Sequence, residues 1–389
     1  MDGTNGKAGG PGECGLLPGG SIVIEKAAAA GRRAEARCHG YLVGVSDAPI
    51  FIHAALADLA QGRSLSVSAA EEIFELMLRG VLDAGQIGAL LSLIEAKGAT
   101  ADELVGAATS MRRHVTAVPL SESTRARVID TCGTGGAPKL FNVSTIAALV
   151  AAGAGAKVVK HGNRSRTGRG SAEIMQALGV QVEASPEVQA RCVEHAGLCF
   201  CFAIHHHPAT RAAAPVRKSL GFPTIFNLLG PLTNPGRASR QLLGVSRPEH
   251  VRIVAEALSR LGCVRAMVVH ANDGFDELST TSANLVAHVE GESVRTVSLH
   301  PDQLDFAAST REALQAESLE EAVGIARDVL HGGTGAKAEI VVLNAGAALF
   351  VAGEAADLRD GVERARESIA SRKALERLDA LRAASNQGA

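Results

Sequence analysis

A glycine-rich turn at residues 133–136, Gly-Thr-Gly-Gly, is suited to hold a small anion, because glycine lets a ligand approach the backbone closely. The apolar pair at 128–129 predicts the end of a buried strand just before this turn. The string that starts at Asn142 predicts an Ala/Leu-rich helix running to about Gly153, and free N–H groups at a helix N-terminus attract anions. These features together predict a phosphate site, although such a turn also occurs as an ordinary strand-to-helix connection.

A second polar loop follows soon after the first. Residues 157–160 predict a short strand that places residues 161–164, His-Gly-Asn-Arg, on the loop behind it. Ligands in an open parallel sheet bind beyond the carboxyl ends of its strands, so both loops are expected at the same edge. Lys160 and Arg164 would add positive charge there. Two ligand-like loops this close in sequence favour a binding site over a plain turn.

Two further sets of residues could carry chemistry. Asp276 and Glu277 follow a predicted strand that ends at His270, and a divalent cation would relieve the repulsion between adjacent carboxylates. Arg217, in the string Ala-Pro-Val-Arg, offers a planar fork that matches a carboxylate ligand. Such charged residues more often lie solvated on a surface, so the residues alone leave both roles open.

Five strings of the sequence are similar to the anthranilate phosphoribosyltransferase family: Gly-Thr-Gly-Gly, Phe-Asn-Val-Ser-Thr, Lys-His-Gly-Asn-Arg-Ser, Gly-Ser-Ala-Glu and Phe-Asn-Leu-Leu-Gly-Pro-Leu-Thr-Asn-Pro. The similarity runs from about Ala54 to the C-terminus, and the last string, residues 226–235, is highly specific. The resemblance implies magnesium-dependent transfer of the phosphoribosyl group of 5-phosphoribosyl 1-pyrophosphate (PRPP) to the amino group of anthranilate, with release of pyrophosphate. This chemistry needs no covalent protein nucleophile, so catalysis would come from positioning and electrostatics.

The resemblance also implies roles for individual residues. Those expected to bind the phosphates and ribose of the donor are Gly133, Gly135, Gly136, Asn142, Ser144, Thr145, Lys160 and Ser171. Those expected at the acceptor are Gly133, His161, Asn163 and Arg217, where Arg217 would bind the carboxylate and Asn163 the aromatic amine. Magnesium, expected as two ions per subunit, would be bound by Ser144, Asp276 and Glu277.

Two loops depart from the family's pattern. The family's glycine loop continues with Asp-Gly, two variable residues and Thr before Phe-Asn, whereas residues 137–140 here are Ala-Pro-Lys-Leu. The loop is therefore one residue shorter, lacks the acidic residue, and has Leu140 in place of a Thr that contacts phosphate. The second loop is also one residue short, just before Gly170, and Glu173 stands where Asp is common. We hypothesise that Lys139 partly replaces the missing phosphate donor.

Three consecutive histidines, residues 205–207, would suggest a metal site if alternate side chains of an extended segment came together. Only His207 matches the family's His-Pro-Ala string, and no carboxylate or Cys accompanies the run, so a metal site is not favoured. His205 and His206 replace apolar residues of the family and are expected to line the acceptor entrance. Cys199 and Cys201 are expected to pack on one face of a buried strand.

The composition is that of a globular protein with more than one domain. The chain has 389 residues, of which 46% are apolar and 21% charged, and its formal net charge is −2. The sequence contains no long uncharged apolar run that would predict a membrane span. It also contains no basic patch that would predict nucleic-acid binding. The seven cysteines, without Cys-x-x-Cys spacing, indicate reduced thiols, and no signal-peptide pattern follows Met1. A cytoplasmic protein is therefore expected.

The hydrophobic pattern predicts an α/β protein, with a small N-terminal helical domain before a larger α/β domain whose mainly parallel central sheet is flanked by helices. Residues 1–52 are expected to be an appended, partly disordered segment, residues 53–120 the helical domain and residues 121–389 the α/β domain. Helices are predicted to begin at Ser68, Asp83 and Thr100. The resemblance implies a homodimer formed through the helical domain.

Later elements are assigned by the same patterns. Strands are predicted at residues 157–160, 181–182, 198–204, 265–270, 284–289, 293–298 and 339–343. Helices are predicted at residues 318–330, 345–352, 358–369 and 374–383.

Three other functions stay open at this stage. The same donor chemistry could act on another aromatic acid in secondary metabolism, because both donor loops are short and the pair His205-His206 is unusual. Pyrimidine nucleoside phosphorylases resemble this architecture, but the acid pair with Ser144 and the string at 226–235 argue against that activity. A nucleic-acid-binding paralogue would not be an enzyme, and the near-neutral charge argues against it.

Overall fold

The computed structural model describes residues 48–137, 140–165, 168–307 and 309–387. Most of the predicted appended segment, together with Pro138 and Lys139, lies outside this part of the chain. Four helices come first and form the small helical domain: α1 (Ala48–Ala60), α2 (Val67–Leu78), α3 (Ala84–Lys97) and α4 (Ala101–Arg113).

Capping residues fix where these helices start. Asp83 and Thr100 cap α3 and α4 as predicted, and each accepts a bond from a backbone N–H of the first turn within a capping box. The prediction that α2 begins at Ser68 is wrong, because Ser66 is its N-cap and accepts a bond from the Ala69 N–H at 3.2 Å. The Ser68 hydroxyl lies 3.1 Å from that of Ser66, so it supports the cap instead of starting the helix.

A seven-stranded sheet forms the centre of the larger domain. Its strands are β1 (Val128–Gly133), β2 (Lys157–Gly162), β3 (Leu198–Phe202), β4 (Arg240–Gly244), β5 (Arg265–Ala271), β6 (Asn284–Glu290) and β7 (Ser293–Leu299). Their order is β3-β2-β1-β4-β5-β6-β7. β1 to β5 run parallel to one another, and β6 is antiparallel to both of its neighbours, β5 and β7, so the predicted mainly parallel sheet is confirmed.

The direction in which strands are added reverses next to β1. The chain moves outward from β1 through β2 and β3, and then returns to place β4 on the other side of β1. Gly133, the last residue of β1, pairs in register with Gly244, the last residue of β4. Ligands of open parallel sheets bind at such a switch point, so the ends of these two strands mark the candidate site.

Within the described residues, the larger domain also contains twelve helices. They are α5 (Glu122–Arg125), α6 (Val143–Gly153), α7 (Ser171–Ala177), α8 (Pro186–Ala196), α9 (Ala203–His206), α10 (Ala214–Leu220), α11 (Ile225–Leu229), α12 (Glu249–Arg260), α13 (Leu319–Leu330), α14 (Ala336–Ala352), α15 (Leu358–Ala370) and α16 (Lys373–Ser385). Short 3-10 turns lie at Pro208–Ala212, Pro231–Thr233, Pro301–Leu304 and Glu312–Leu314. Within the described ranges, no helix is long and apolar enough to cross a membrane.

Two hydrophobic cores hold these elements together. One core includes side chains of α6, α14 and α16 and of the sheet strands that they cover. The other includes side chains of the helical domain, α11, α12 and the opposite face of β4 and β5. The helical domain is therefore attached to the sheet by apolar packing through α11 and α12.

The structure corrects two predicted strands and adds one. Residues 181–182 form no strand, because the left-handed Gly179 precedes them and Ser185 already caps α8. Residues 339–343 lie inside α14, which is buried along most of its length, and a short apolar run cannot be told from such a helix by periodicity. β4 was not predicted, since it opens with the polar residues Arg240 and Gln241.

Strand ends also differ from the prediction near the site. β1 begins at Val128 instead of ending there, and it runs into the glycine turn. His161 belongs to β2 and not to the loop that follows it. β3 ends at Phe202 because the chain turns into the short helix α9.

Candidate active site

The ends of β1 and β4 hold the turn that carries the acid pair. A Cβ atom on Gly133 would lie 2.7 Å from the Oδ2 atom of Asp276. A Cβ atom on Gly244 would lie 1.6 Å from the carbonyl oxygen of the same residue. Only glycine at these two positions lets Asp276 lie directly over the switch point.

Two backbone N–H groups fasten the acid pair to the predicted phosphate site. The N–H of Gly135 donates to Asp276 Oδ2 at 3.2 Å, and the N–H of Ser144 donates to Glu277 Oε1 at 3.2 Å. The first comes from the glycine turn and the second from the first turn of α6. The structure thus brings together the glycine turn, the helix N-terminus and the acid pair, and two of the expected phosphate-binding N–H groups donate to these carboxylates.

The electrostatics of the pair favour a cation. Burial and the neighbouring carboxylate of Asp276 raise the pKa of Glu277 to about 8, although Lys160 and hydrogen bonds from Ser144 act in the opposite direction. Within the described residues, no cluster of three or more His, Cys, Asp or Glu side chains could hold a metal ion. Two carboxylates and the Ser144 hydroxyl nevertheless fit magnesium, a hard cation that keeps several waters and takes few protein oxygens.

Lys160 lies beneath this group of residues. It is buried, and its ammonium donates to the carbonyl oxygen of Thr131 and to the Ser144 hydroxyl, the latter at 3.3 Å. Burial lowers the pKa of Lys160, while Asp130 is the main group that opposes this shift. A cation in this place lowers the cost of collecting anionic groups at the same edge of the sheet.

The loop after β2 is closed by its own side chains. The carboxylate of Glu173 accepts bonds from the N–H groups of Gly170 at 3.0 Å and Ser165 at 3.3 Å. Ser171 donates to the carbonyl oxygen of Asn163 at 3.4 Å. The Asn163 side chain itself accepts a bond from the next N–H in the chain, so it is part of a turn at the exposed tip of the loop.

Several residues in or next to the predicted PRPP site are less accessible to a ligand than their positions in the sequence suggest. Asn142 adopts the left-handed conformation with φ 65° and precedes α6 without a side-chain cap. The hydroxyl of Thr145 is fully buried without a hydrogen-bond partner, and Leu140 packs in the core. Gly136, also left-handed, faces Ser246, whose side chain would lie 3.5 Å from an added Cβ atom.

Arg164, which the sequence analysis expected to add positive charge at this edge, stacks over the Phe202 ring.

A pair of histidines lies on the predicted acceptor side. Nε2 of His161 is 3.2 Å from Nε2 of His207, and both side chains are buried. Burial lowers the pKa of His207 to about 4 and places the pKa of His161 well below its ordinary value. The backbone of Gly230 forms a further hydrogen bond with His161. Both imidazoles are therefore neutral at pH 7, and one donates to the other.

The other histidines of the run do not form an extended metal-binding segment. His206 is buried at the end of α9, and its Nδ1 atom lies 2.6 Å from the carbonyl oxygen of Thr116, in the connection after α4. His205 is exposed, with its ring edge against Phe202. The expectation that both line an acceptor entrance does not hold for His206, because its ring is tied to this connection. Cys199 and Cys201 are buried on β3, as predicted.

Arg217 is positioned by the short helix α11. Its guanidinium carbon lies 4.7 Å from the centre of the Phe226 ring. The neighbouring side chain on α11, that of Asn227, donates to the carbonyl oxygen of Thr134 in the glycine turn at 3.4 Å. One helix thus contacts both the predicted acceptor arginine and the predicted donor loop.

Comparison with known proteins decides the family. The profile of the glycosyl transferase family, a/b domain, matches residues 125–375, and that of the helical bundle domain matches residues 53–115. The anthranilate phosphoribosyltransferase of Rubrobacter xylanophilus is 45% identical over 328 residues, which cover 84% of this chain and 95% of that protein. The chain belongs to the anthranilate phosphoribosyltransferase family.

Other members of the family are similarly close. The anthranilate phosphoribosyltransferase of Desulfatibacillum aliphaticivorans is 42% identical, covering 84% of this chain and 96% of that protein. The crystal structure of the Thermus thermophilus enzyme has a TM-score of 0.80 at 39% identity, covering 85% of this chain and 99% of that one. The Saccharomyces cerevisiae enzyme, solved in complex with PRPP and Mg, has the same fold, with a TM-score of 0.79 at 23% identity.

Sequence reasoning missed residues that support the site of this anthranilate phosphoribosyltransferase family member. Asp130, fully buried on β1, accepts a bond from the His161 N–H at 3.1 Å, and burial raises its pKa. An acid inside an apolar strand was a usable signal, since buried carboxylates are rare. Phe226 and Asn227 lie in the family string, but no local pattern indicated that they contact Arg217 and Thr134.

Proposed function

We propose that this chain catalyses magnesium-dependent transfer of the phosphoribosyl group from PRPP to the amino group of anthranilate, releasing pyrophosphate. The observation that carries this proposal is the attachment of Asp276 and Glu277 to the glycine turn and to the first turn of α6, at the switch point of the sheet. Carboxylates and phosphate-binding N–H groups meet there, as a substrate with a diphosphate and a metal requires. The yeast protein of the same fold binds both ligands.

On the donor side, we assign the diphosphate and the 5′-phosphate to the glycine turn, the first turn of α6, Lys160 and Ser171. Magnesium, when bound by Ser144, Asp276 and Glu277, supplies positive charge to the departing pyrophosphate. Lys160 adds a fixed charge from beneath, and its hydrogen bonds to Thr131 and Ser144 hold it there. Preorganised charge of this kind stabilises a transition state without reorganisation during the reaction.

On the acceptor side, we assign the carboxylate of anthranilate to Arg217 and the ring and amine to Asn163, His161 and the backbone near Gly133. The amine's lone pair forms the new bond to C1 of the ribose as the bond from C1 to pyrophosphate breaks, and the surplus proton then leaves the nitrogen. Because no protein nucleophile takes part, the enzyme's contribution is the alignment of the two substrates.

We further propose a homodimer with two magnesium ions per subunit and a cytoplasmic location. The proposed domain limits are residues 1–52, 53–120 and 121–389. Family resemblance supports the dimer and the number of ions, and light scattering together with magnesium titration of the purified protein would test them.

The central experiment measures magnesium-dependent pyrophosphate release from PRPP with anthranilate. Asp276→Ala should lower turnover by about 100-fold or more, because a ligand of the metal is lost. Asp302→Ala, which removes an exposed carboxylate from a 3-10 turn, is the matched control and should keep full activity. Turnover only with another aromatic acid would contradict the proposed acceptor, and a fully active Asp276→Ala variant would contradict the metal site.

A further inference from the structure

Phe226, the first residue of the string at 226–235, contacts the predicted acceptor residue Arg217. It is only 5% exposed, and its ring lies under the guanidinium of the half-buried residue Arg217, at 4.7 Å from ring centre to guanidinium carbon. This distance is well within the range of an attractive cation–π contact. A long arginine side chain without such a partner would sample many rotamers before binding a carboxylate.

The Phe226 ring is also held by the helical domain. Phe74, fully buried on α2, packs against it with ring centres 6.0 Å apart and planes tilted by 54°. The helix that carries Arg217 is also held by the helical domain, because α3 comes close enough at Gly88 for a Cβ atom there to lie 3.7 Å from the Val216 side chain. Both the ring and the arginine helix are therefore fixed against the same domain.

We propose that Phe226 is a positioning residue that holds the Arg217 guanidinium ready for the carboxylate of the acceptor. This inference rests on the proposed function, in which Arg217 binds that carboxylate. Phe226 itself touches no reacting atom. It restricts the side chain that binds the substrate, so its loss weakens acceptor binding and leaves the donor site and the chemical step intact.

The test compares Phe226→Leu with the wild type in steady-state kinetics. The variant keeps a buried apolar side chain but loses the ring, so KM for anthranilate should rise about tenfold, while KM for PRPP and kcat at saturating anthranilate stay within about twofold. Phe226→Tyr, which keeps the ring, should restore most of the affinity. Phe350→Leu removes the ring under Arg265, 5.2 Å from its guanidinium carbon at the opposite edge of the sheet, and should leave KM for anthranilate unchanged.

A double-mutant cycle separates positioning from a general loss of packing. In an Arg217→Ala background, Phe226→Leu should add little to KM, because the side chain that it positions is already absent. An unchanged KM in the single variant, or an equal rise in both backgrounds, would overturn the inference. Acceptor binding can also be followed by anthranilate fluorescence, since the chain contains no Trp.

The same experiment distinguishes a wrong inference from a wrong function. If the wild type releases no pyrophosphate with anthranilate, the proposed acceptor is wrong, and the binding titration is repeated with substituted benzoates. Phe226 positions Arg217, and Arg217 binds the carboxylate whatever substituents the ring of the benzoate carries. Phe226→Leu should therefore weaken the binding of any such acid that requires Arg217. If no acid binds more weakly to the variant, Phe226 has no positioning role.

Discussion

The main chain of Asp276 lies against Gly244 so closely that a Cβ atom on the glycine would be 1.6 Å from the Asp276 carbonyl oxygen. Gly133, its partner in register on β1, approaches the side chain of the same aspartate. Two strand ends therefore determine the height and the direction of the acid pair above the sheet. The proposed metal site depends on glycines that contribute no ligand.

Gly244→Ala should displace the acid pair, because the new methyl group meets backbone atoms of Asp276. Backbone atoms cannot move aside as easily as the end of a flexible side chain. We expect a loss of about 2–3 kcal/mol in the free energy of unfolding and a magnesium requirement shifted to higher concentration. Urea denaturation and magnesium-dependent pyrophosphate release measure the two effects. Gly324→Ala on α13, where an added Cβ atom meets nothing within 4 Å, is the control and should be neutral or slightly stabilising. Equal behaviour of the two variants would contradict the proposed support of Asp276.

Lys160→Met should impair the donor site more than the fold. Methionine matches the length of the buried side chain but cannot donate to Thr131 and Ser144 or offset the charge on the phosphates. We expect kcat/KM for PRPP to fall by about 100-fold, while KM for anthranilate changes little. Lys157→Met, which removes a lysine bonded to the carbonyl oxygen of Val193 at the other end of β2, should leave both constants close to wild type. If Lys160→Met instead changed the constants for PRPP and for anthranilate by the same factor, Lys160 would have a structural role and not a role in the donor site.

The neutral histidine pair predicts how stability depends on pH. The pKa of His207 is lowered from 6.5 to about 4, so the unfolded chain binds more protons than the folded one between these values. Stability should therefore be full above pH 6.5 and fall as the pH drops towards 4, by up to about 1.4 kcal/mol per pH unit for this residue. His207→Gln should reduce that slope in urea titrations at pH 7, 6 and 5. The exposed His195→Gln on α8 is the control, and an unchanged slope in His207→Gln would show that other groups cause it.

The sequence predicted the fold class, and it predicted that the glycine turn, the first turn of α6 and the acid pair lie together, because those features depend on local signals. Asp83 and Thr100 cap their helices through side chains three residues from their partners, and the glycine turn follows directly from the end of β1. The order of parallel strands then brings residues 133–136 and the first turn of α6 to one edge. The acid pair meets them there, as the placement of three loops after strands had indicated.

What the sequence could not predict depends on contacts between distant residues. The strand assigned to residues 339–343 is part of α14, because burial on several sides removes the periodicity that distinguishes a helix from a strand. His206 forms a hydrogen bond with the backbone of Thr116, and Arg217 stacks on Phe226. Each contact joins two segments that are brought together only by tertiary packing. No pattern in either segment alone records such a contact.

Glu173 offers a test of how the shortened loop after β2 is tolerated. Its carboxylate spans the N–H groups of Gly170 and Ser165, and a side chain shorter by one methylene could not reach both. Glu173→Asp should therefore raise KM for PRPP by about 10- to 100-fold, which corresponds to the loss of one hydrogen bond to a charged group. Inserting one residue before Gly170 should restore the affinity of the aspartate variant and lower that of the wild type. Glu187→Asp, at the exposed start of α8, should have no effect, and an aspartate variant with normal KM would mean that loop length and side-chain length are not coupled.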